Sequence, residues 1–296
     1  MQKAYAYLQL MRPANQLTAI SDIWAGAAIA GCFAPEQWSA AMMGKVGWLS
    51  LAAFCLYGGG VVFNDVFDAG LDRVERPERA IPSGRVSLGS AVILGLVLLA
   101  LGMAAALQVG LQSGVLGFAI VLAALTYDKW GKHYTLAGPL NMGLCRGLDL
   151  LLGMSMLPFL HIGLWGIAAV PVVYIAAVTM ISRGEVHGGS RATLYGAALL
   201  YVLVLLALLF FAFHREELLI ALPFLLAFGV MIFVPLTGAV REPAGPRIGK
   251  AVKAGVLALI LMNASWVAAS GSLPAALLTV LLLPLSLWVA RLFAVT

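Results

Sequence analysis

The sequence predicts an all-α, polytopic transmembrane helical bundle of nine or ten spans, and three observations predict it. Of 296 residues, 62% are hydrophobic and 10% are charged, whereas soluble domains carry about 25% charged residues; mean hydropathy is +0.99. Apolar stretches of roughly 17–25 residues, the length that crosses about 30 Å of hydrocarbon, recur from end to end. Residues 1–296 therefore read as one integral-membrane domain with no room for a soluble one. Lys and Arg, finally, gather in alternate loops, the pattern that fixes membrane orientation.

The first span, residues 14–33, follows Arg12-Pro13 directly; it is too long and lacks the processing site of a cleavable signal, so it is expected to remain. The second, 46–66, runs into the polar stretch Asn64 to Asp72, and the third, 87–108, opens after the turn signal Pro82-Ser83-Gly84. Spans 112–127, 138–160, 164–182, 193–213 and 217–239 follow between short polar loops. The last two, 253–270 and 273–293, are joined by Gly271-Ser272 with Pro274, which marks either a hairpin or a break between re-entrant helices.

With an even number of spans, Lys45 and Arg215 fall on the far side and Arg146 lies inside a span, while every other Lys and Arg falls on the N-terminal side. That side is expected to be cytoplasmic, in the inner (plasma) membrane. It carries both Asn64 to Arg85 and, four spans later, Arg183 to Arg191, so two loops are placed to close over one cavity. Topology also accounts for the net charge of +5, and nucleic acid is not expected as a partner. Cys32, Cys55 and Cys145 match neither a zinc site nor a disulfide framework and read as packing residues.

Asn64, Asp68 and Asp72 are four residues apart, so on a helix they stack on one face at about 6 Å per turn. Oxygen ligands at that spacing suit a hard divalent cation, and magnesium usually shares its coordination between one or two carboxylates, waters and a substrate phosphate. Arg73, Arg76, Arg79 and Arg85 follow, able to clamp the remaining phosphate oxygens. A membrane enzyme handling a diphosphate is the reading these residues favour. Asp65 lies about 100° round the helix, better placed to orient a neighbour or a basic residue.

Ionisable groups inside spans are functional candidates because burying them in lipid is costly. Arg146 and Asp149, three apart on one helical face, read as an ion pair lining the interior or as substrate contacts. Asp22 and Asn15, seven apart on roughly one face, are candidates for acceptor recognition. Asn141 reads as a cavity residue and Asn263 as a helix-joining one. Gly143 with Gly147, and Gly110 with Gly114, read as close-packing pairs. Trp24, Tyr57, Phe63, Tyr174 and Tyr195 are aromatic candidates for shielding a carbocation, none singled out.

Asn64-Asp65-x-x-Asp68-x-x-x-Asp72, followed by Arg76-Pro77-x-Arg79-x-Ile81-Pro82-Ser83-Gly84-Arg85, resembles the first signature of the UbiA superfamily of intramembrane prenyltransferases. Similar to that family too are Arg12-Pro13, Tyr127 with Lys129 and Lys132, and Arg146-Gly147 with Gly153. The resemblance implies a bundle of about nine helices around a central cavity, with Mg2+-bound isoprenyl diphosphate held under two cytoplasmic acidic motifs. The allylic diphosphate ionises and a small, unidentified acceptor attacks the carbocation. Carried over to matching positions, metal coordination falls to Asn64, Asp68 and Asp72, while Arg73, Arg79 and Lys129 become clamps for the diphosphate or, equally, topology charges.

The family's second motif normally carries an Asp ladder, where this chain offers Glu185, His187 and then Gly189. Glu185 is the remaining metal candidate, and His187, with an unperturbed pKa near 6.5, a base or hydrogen bonder. The form Arg183-Gly184-Glu185-Val186-His187-Gly188-Gly189 resembles an EboC-like branch encoded beside sugar-cyclisation and hydrolase-type enzymes, which implies a cyclitol-like or other polar acceptor and pathway enzymes as partners. Two other classes are weighed. A degenerate scaffold that binds or transports a lipid or polar metabolite would account for Gly189, but a transporter should show polar groups along a path to both faces. A CDP-alcohol phosphotransferase lacks its Asp-Gly and Ala-Arg spacing here.

Overall fold

Prolines, serines and glycines cut the apolar sequence into helices, and a computed structural model describes residues 2–135, 137–157, 162–185 and 188–293 of the chain. The helices run in order α1 (Gln2–Met11), α2 (Pro13–Ile29), α3 (Ala40–Phe67), α4 (Ala69–Glu75), α5 (Leu88–Val109) and α6 (Leu111–Lys129). They continue with α7 (Ala137–Met154), α8 (Ala169–Ser182), α9 (Arg191–His214), α10 (Leu218–Arg241), α11 (Gly245–Ala269) and α12 (Leu273–Leu292). Every expected span has its helix, α2, α3 and α5 through α12 in turn. Among the described residues eight of these, with α8 counted together with the helical turn that leads into it from Leu164, are long and apolar enough to cross a membrane, while α2, with 17 residues, and the less apolar α7 complete the bundle. His187 lies outside the described residues.

Helix ends follow local chemistry. The side chains of Ser39, Ser87 and Ser190 accept from the backbone N–H groups of Met42, Ser90 and Thr193, so that α3, α5 and α9 each begin on a serine cap. Pro13 takes the first position of α2, where its missing N–H costs nothing. Arg12 before it adopts a left-handed backbone, φ 48° and ψ 61°, turning α1 away from α2. Gly271, at φ +87°, turns α11 into α12, so the last pair forms a hairpin of helices with 25 and 20 residues.

The bundle centres on α2, which packs against α3, α7, α11 and α12. Small residues set the spacing, as they do where helices must approach closely in lipid. A Cβ on Gly153 would meet the Ile23 carbonyl oxygen at 2.4 Å, closing the α2–α7 seam; one on Gly143 would meet that of Val172 at 2.4 Å, closing α7 onto α8. Of the expected close-packing pair Gly110 and Gly114, Gly114 on α6 makes room for Leu107 on α5, whereas Gly110 ends α5 in open space. Asn141 joins helices instead of lining the cavity, its amide donating to Ala123 O at 3.1 Å and accepting from Tyr127 N at 3.2 Å. Asn263 also joins helices, donating to Ser21 Oγ at 2.7 Å and to Asp22 Oδ1 at 2.6 Å.

Candidate active site

The last turn of α3 delivers Asn64 and Asp65; the helix then ends, Asp68 caps it, and α4 carries Asp72 onward. Backbone bonds from Asp68 N to Asn64 O (3.0 Å) and from Asp72 N to Asp68 O (2.8 Å) keep the four-residue rise across the break. The turn that follows, with Gly84 at φ +75°, folds the arginines back over the ladder. Arg79 Nη1 lies 2.8 Å from Asp72 Oδ2 and 3.4 Å from Asp65 Oδ1, and Arg12 Nη2 reaches the same Asp65 oxygen at 2.9 Å. Asp68 is paired with Lys132, from the turn after α6. All three aspartates of the first motif are thus neutralised by cations, an arrangement the spacing alone did not reveal.

Asn64 faces a cavity of about 250 Å³ that runs from Arg12 and Asp128 at the mouth, past Tyr57, to Arg146 and Asp149. Leu56, Ile120, Ala124 and Met142 give it apolar walls. At its inner end the Arg146 guanidinium lies 3.0 Å from Asp22 and 3.7 Å from Asp149, donates to Thr18 Oγ1 at 2.5 Å, and sits 5.6 Å from the centre of the Tyr57 ring. Asp22, 1% exposed and held by Asn263, anchors Arg146 from behind and is not a cavity wall. Among the described residues, the Oδ2 atom of buried Asp128 has no hydrogen-bond partner.

Other candidates lie elsewhere. Lys129 turns outward over the Trp130 ring, 4.5 Å from its centre, and Lys132 occupies the place beside the ladder, because α6 ends between them and the chain reverses. Arg73 is exposed on α4. Glu185 and Asn15 line a second cavity of about 370 Å³ with Lys253 and Val256, bounded by α2, α11 and α12. Glu185 is therefore not brought beside Asn64, although the two loops are neighbours. Burial raises its carboxyl pKa, and the charge of Arg76 pulls the other way. The sequence singled out Lys129 as the diphosphate clamp in this segment, with Lys132 noted only as part of the family resemblance and Asp128 not at all, whereas the structure places Asp128 and Lys132 at the site. An aspartate within the apolar run of α6 was the available signal.

Chemically, the mouth offers an amide oxygen and a carboxylate facing one space, flanked by Arg12, with Arg79 and Lys132 holding the ladder. Hard oxygen donors fit Mg2+, and the buried Asp128 oxygen without a hydrogen-bond partner is one such donor. Among the described residues no three Asp, Glu, His or Cys side chains are grouped to hold a metal ion.

These features define a polytopic helical membrane protein built around an acid-and-base-lined cavity. The model of the UbiA prenyltransferase family matches residues 23–251, and the chain belongs to that family; it is an integral, multi-pass membrane protein. Digeranylgeranylglyceryl phosphate synthase of Methanosarcina mazei is 33% identical over 186 residues, 61% of this chain and 63% of the relative. The synthase of the same name from Ignicoccus hospitalis is 37% identical over 151 residues, 51% of this chain and 47% of the relative. The chain thus spans about half to three-fifths of the length of these relatives. Its fold is that of a UbiA homolog from Archaeoglobus fulgidus bound to GPP and Mg2+, with a TM-score of 0.65 and 14% identity over 86% of this chain and 99% of that one.

Proposed function

We propose that the protein transfers an isoprenyl group from an isoprenyl diphosphate to a small acceptor within the membrane, with Mg2+ as cofactor. The observation that carries this reading is the cavity itself. Asn64, Asp128 and Arg12 stand at its mouth beside the paired ladder, and its walls beyond are apolar. Asn64 and Asp68 would hold the ion, which supplies charge neutralisation on the leaving diphosphate. Lys132 and Arg79, now paired with Asp68 and Asp72, are the cations within reach of a diphosphate that enters there. The allylic C–O bond breaks with its electron pair leaving on the diphosphate, and as the acceptor's lone pair forms the new bond to carbon its hydroxyl proton passes to the released diphosphate. Tyr57 and Tyr127 are the aromatic faces that line the cavity along that carbon's path.

The relatives bear the name digeranylgeranylglyceryl phosphate synthase, which supports a hydroxylated acceptor. Arg146 is already flanked by Asp22 and Asp149, so the inner end carries no surplus positive charge for an anion. A neutral polyol donating to Asp149 suits it better. That agrees with the EboC-like branch, which rests on the Arg183 to Gly189 form and on no relative compared, and with pathway enzymes as partners. Residues 1–296 are read as one domain whose N-terminus and acidic loops face the cytoplasm, on the distribution of Lys and Arg.

The test is mass spectrometry of lipids and metabolites from cells expressing wild type or Asp68→Ala. A product heavier than its acceptor by whole five-carbon units, absent with Asp68→Ala, is expected. A second reading, a scaffold that binds or carries a metabolite without prenyl transfer, is favoured by Glu185 lying in the other cavity. Identical products from both strains, with purified protein still binding metabolite, would decide for it.

A further inference from the structure

The second acidic loop has lost its ladder, with Gly189 at the position of an aspartate, and its one described carboxylate, Glu185, lines a cavity other than that of Asn64. A cation bound at Asn64 therefore lacks the opposing carboxylate that the two-loop arrangement would supply. Asp68 is held by Lys132, Asp72 by Arg79 and Asp65 by Arg12 and Arg79.

Asp128 stands apart from these. It is 5% exposed, sits in the last turn of α6, and lines the same cavity as Asn64. Its Oδ2 atom accepts no hydrogen bond among the described residues. A buried carboxylate oxygen without a donor is costly and is kept where a ligand completes it. Carboxylate and amide oxygens on facing helices are the donor types that magnesium takes while retaining water and phosphate oxygens.

Resting on the diphosphate reading above, we propose that Asp128 is a metal-binding residue that replaces the missing half of the second motif. The cation–diphosphate complex is then gripped between Asn64 on α3 and Asp128 on α6. Lys132, four residues after Asp128, is poised to exchange Asp68 for the diphosphate when the ion takes its place.

The experiment titrates Mn2+ into purified protein with inorganic pyrophosphate and reads bound ion by electron paramagnetic resonance. Wild type is compared with Asp128→Asn, Asp128→Cys and Glu185→Gln. Asp128→Asn keeps shape and removes charge, and should raise the Mn2+ midpoint at least tenfold with no loss of thermal stability in the absence of metal. Glu185→Gln should leave the midpoint unchanged. Asp128→Cys should shift preference from Mn2+ toward Cd2+ at least tenfold, since thiolate favours the softer ion; this arm stands if the Asn variant fails to fold. An unchanged midpoint in Asp128→Asn, an unchanged preference in Asp128→Cys, or an equal shift in Glu185→Gln overturns the proposal. Wild type that binds no Mn2+ with pyrophosphate overturns the diphosphate reading together with it.

Discussion

Arg12 combines a left-handed backbone at φ 48° with an ion pair to Asp65 at 2.9 Å. Non-glycine residues in that region carry strain of about 1–3 kcal/mol, held in place by their surroundings. Here the surroundings are Pro13, which fixes the start of α2, and the carboxylate that Arg79 also touches. Arg12→Ala removes one of two cations from Asp65 and relieves little of the backbone strain. We expect a loss of about 1–2 kcal/mol, since the Arg side chain is partly solvated, and a weaker affinity for inorganic pyrophosphate. Unfolding curves and pyrophosphate titrations check both, and a variant as stable and as tight-binding as wild type would remove Arg12 from the site.

The inner cluster behaves differently because it is dry. Arg146, Asp22 and Asp149 are each less than 5% exposed, and removing one partner of a buried pair leaves an uncompensated charge. Arg146→Met is expected to destabilise by about 3–5 kcal/mol, and Arg146→Met with Asp22→Asn and Asp149→Asn together to recover most of that. Recovery by the triple variant, read as thermal midpoint in detergent, separates charge from packing. A triple variant no better than the single one would show that Arg146 acts through its shape.

At the scale of elements, two seams carry the site. Gly153 lets α7 touch the α2 backbone at Ile23, one residue beyond Asp22, and Gly147 and Gly143 let the same helix touch α8 at Val172 and the residue that caps its start, Ala168. Because Arg146 rides on α7 and Asp22 on α2, the first seam sets their 3.0 Å separation. Gly153→Ala should cost about 1–3 kcal/mol by overpacking and weaken metal–pyrophosphate binding less than Arg12→Ala does. A larger effect on binding than on stability would locate the mouth of the site nearer to this seam.

The loop after α8 adds a pH signature. Burial raises the Glu185 pKa above its ordinary 4.5, so the folded state binds its proton more tightly than the unfolded chain does. Stability from this group is present at low pH and is lost as pH rises upward from 4.5 through the raised value. Glu185→Gln should flatten that part of the stability profile. A profile that keeps its slope in the variant would assign it to another group.

Elements were legible where hydropathy and punctuation agree: the expected second span at 46–66 lies within α3, and Gly271 with Pro274 became a hairpin. The end of α3 at Phe67 was not, because Asp68 continues the i to i+4 backbone pattern from α3 into α4. Nor was the choice between Lys129 and Lys132, which depends on a chain reversal of three residues. Asn64, Asp65, Arg146 and Asp149 were legible as polar groups that an apolar run does not spend without reason. Their partners were hidden, since Arg12 and Asp65 are 53 positions apart and Arg146 and Thr18 are 128 apart.

For the whole molecule, the central fact is that two cavities flank the first turn of α2, one holding Arg12 and the other Asn15. The first, at about 250 Å³, is below the range of about 300–1,000 Å³ that small-molecule sites occupy. It can take a diphosphate with a short tail, but a long isoprenyl chain has to extend further. A second cavity, about 370 Å³ and walled by Val252, Val256, Leu257 and Ala290, offers apolar space on the other side of that turn, and a third, about 500 Å³, lies among α7, α8 and α9. Asn15, Glu185 and Lys253 are the polar residues of the second cavity's lining. Val256→Trp fills this space without touching the ladder. Turnover of donors with one, two and four isoprene units should fall progressively with length in the variant, the longest losing at least tenfold more than the shortest. An equal loss for all three, or none, would mean that the chain leaves the first cavity by another route.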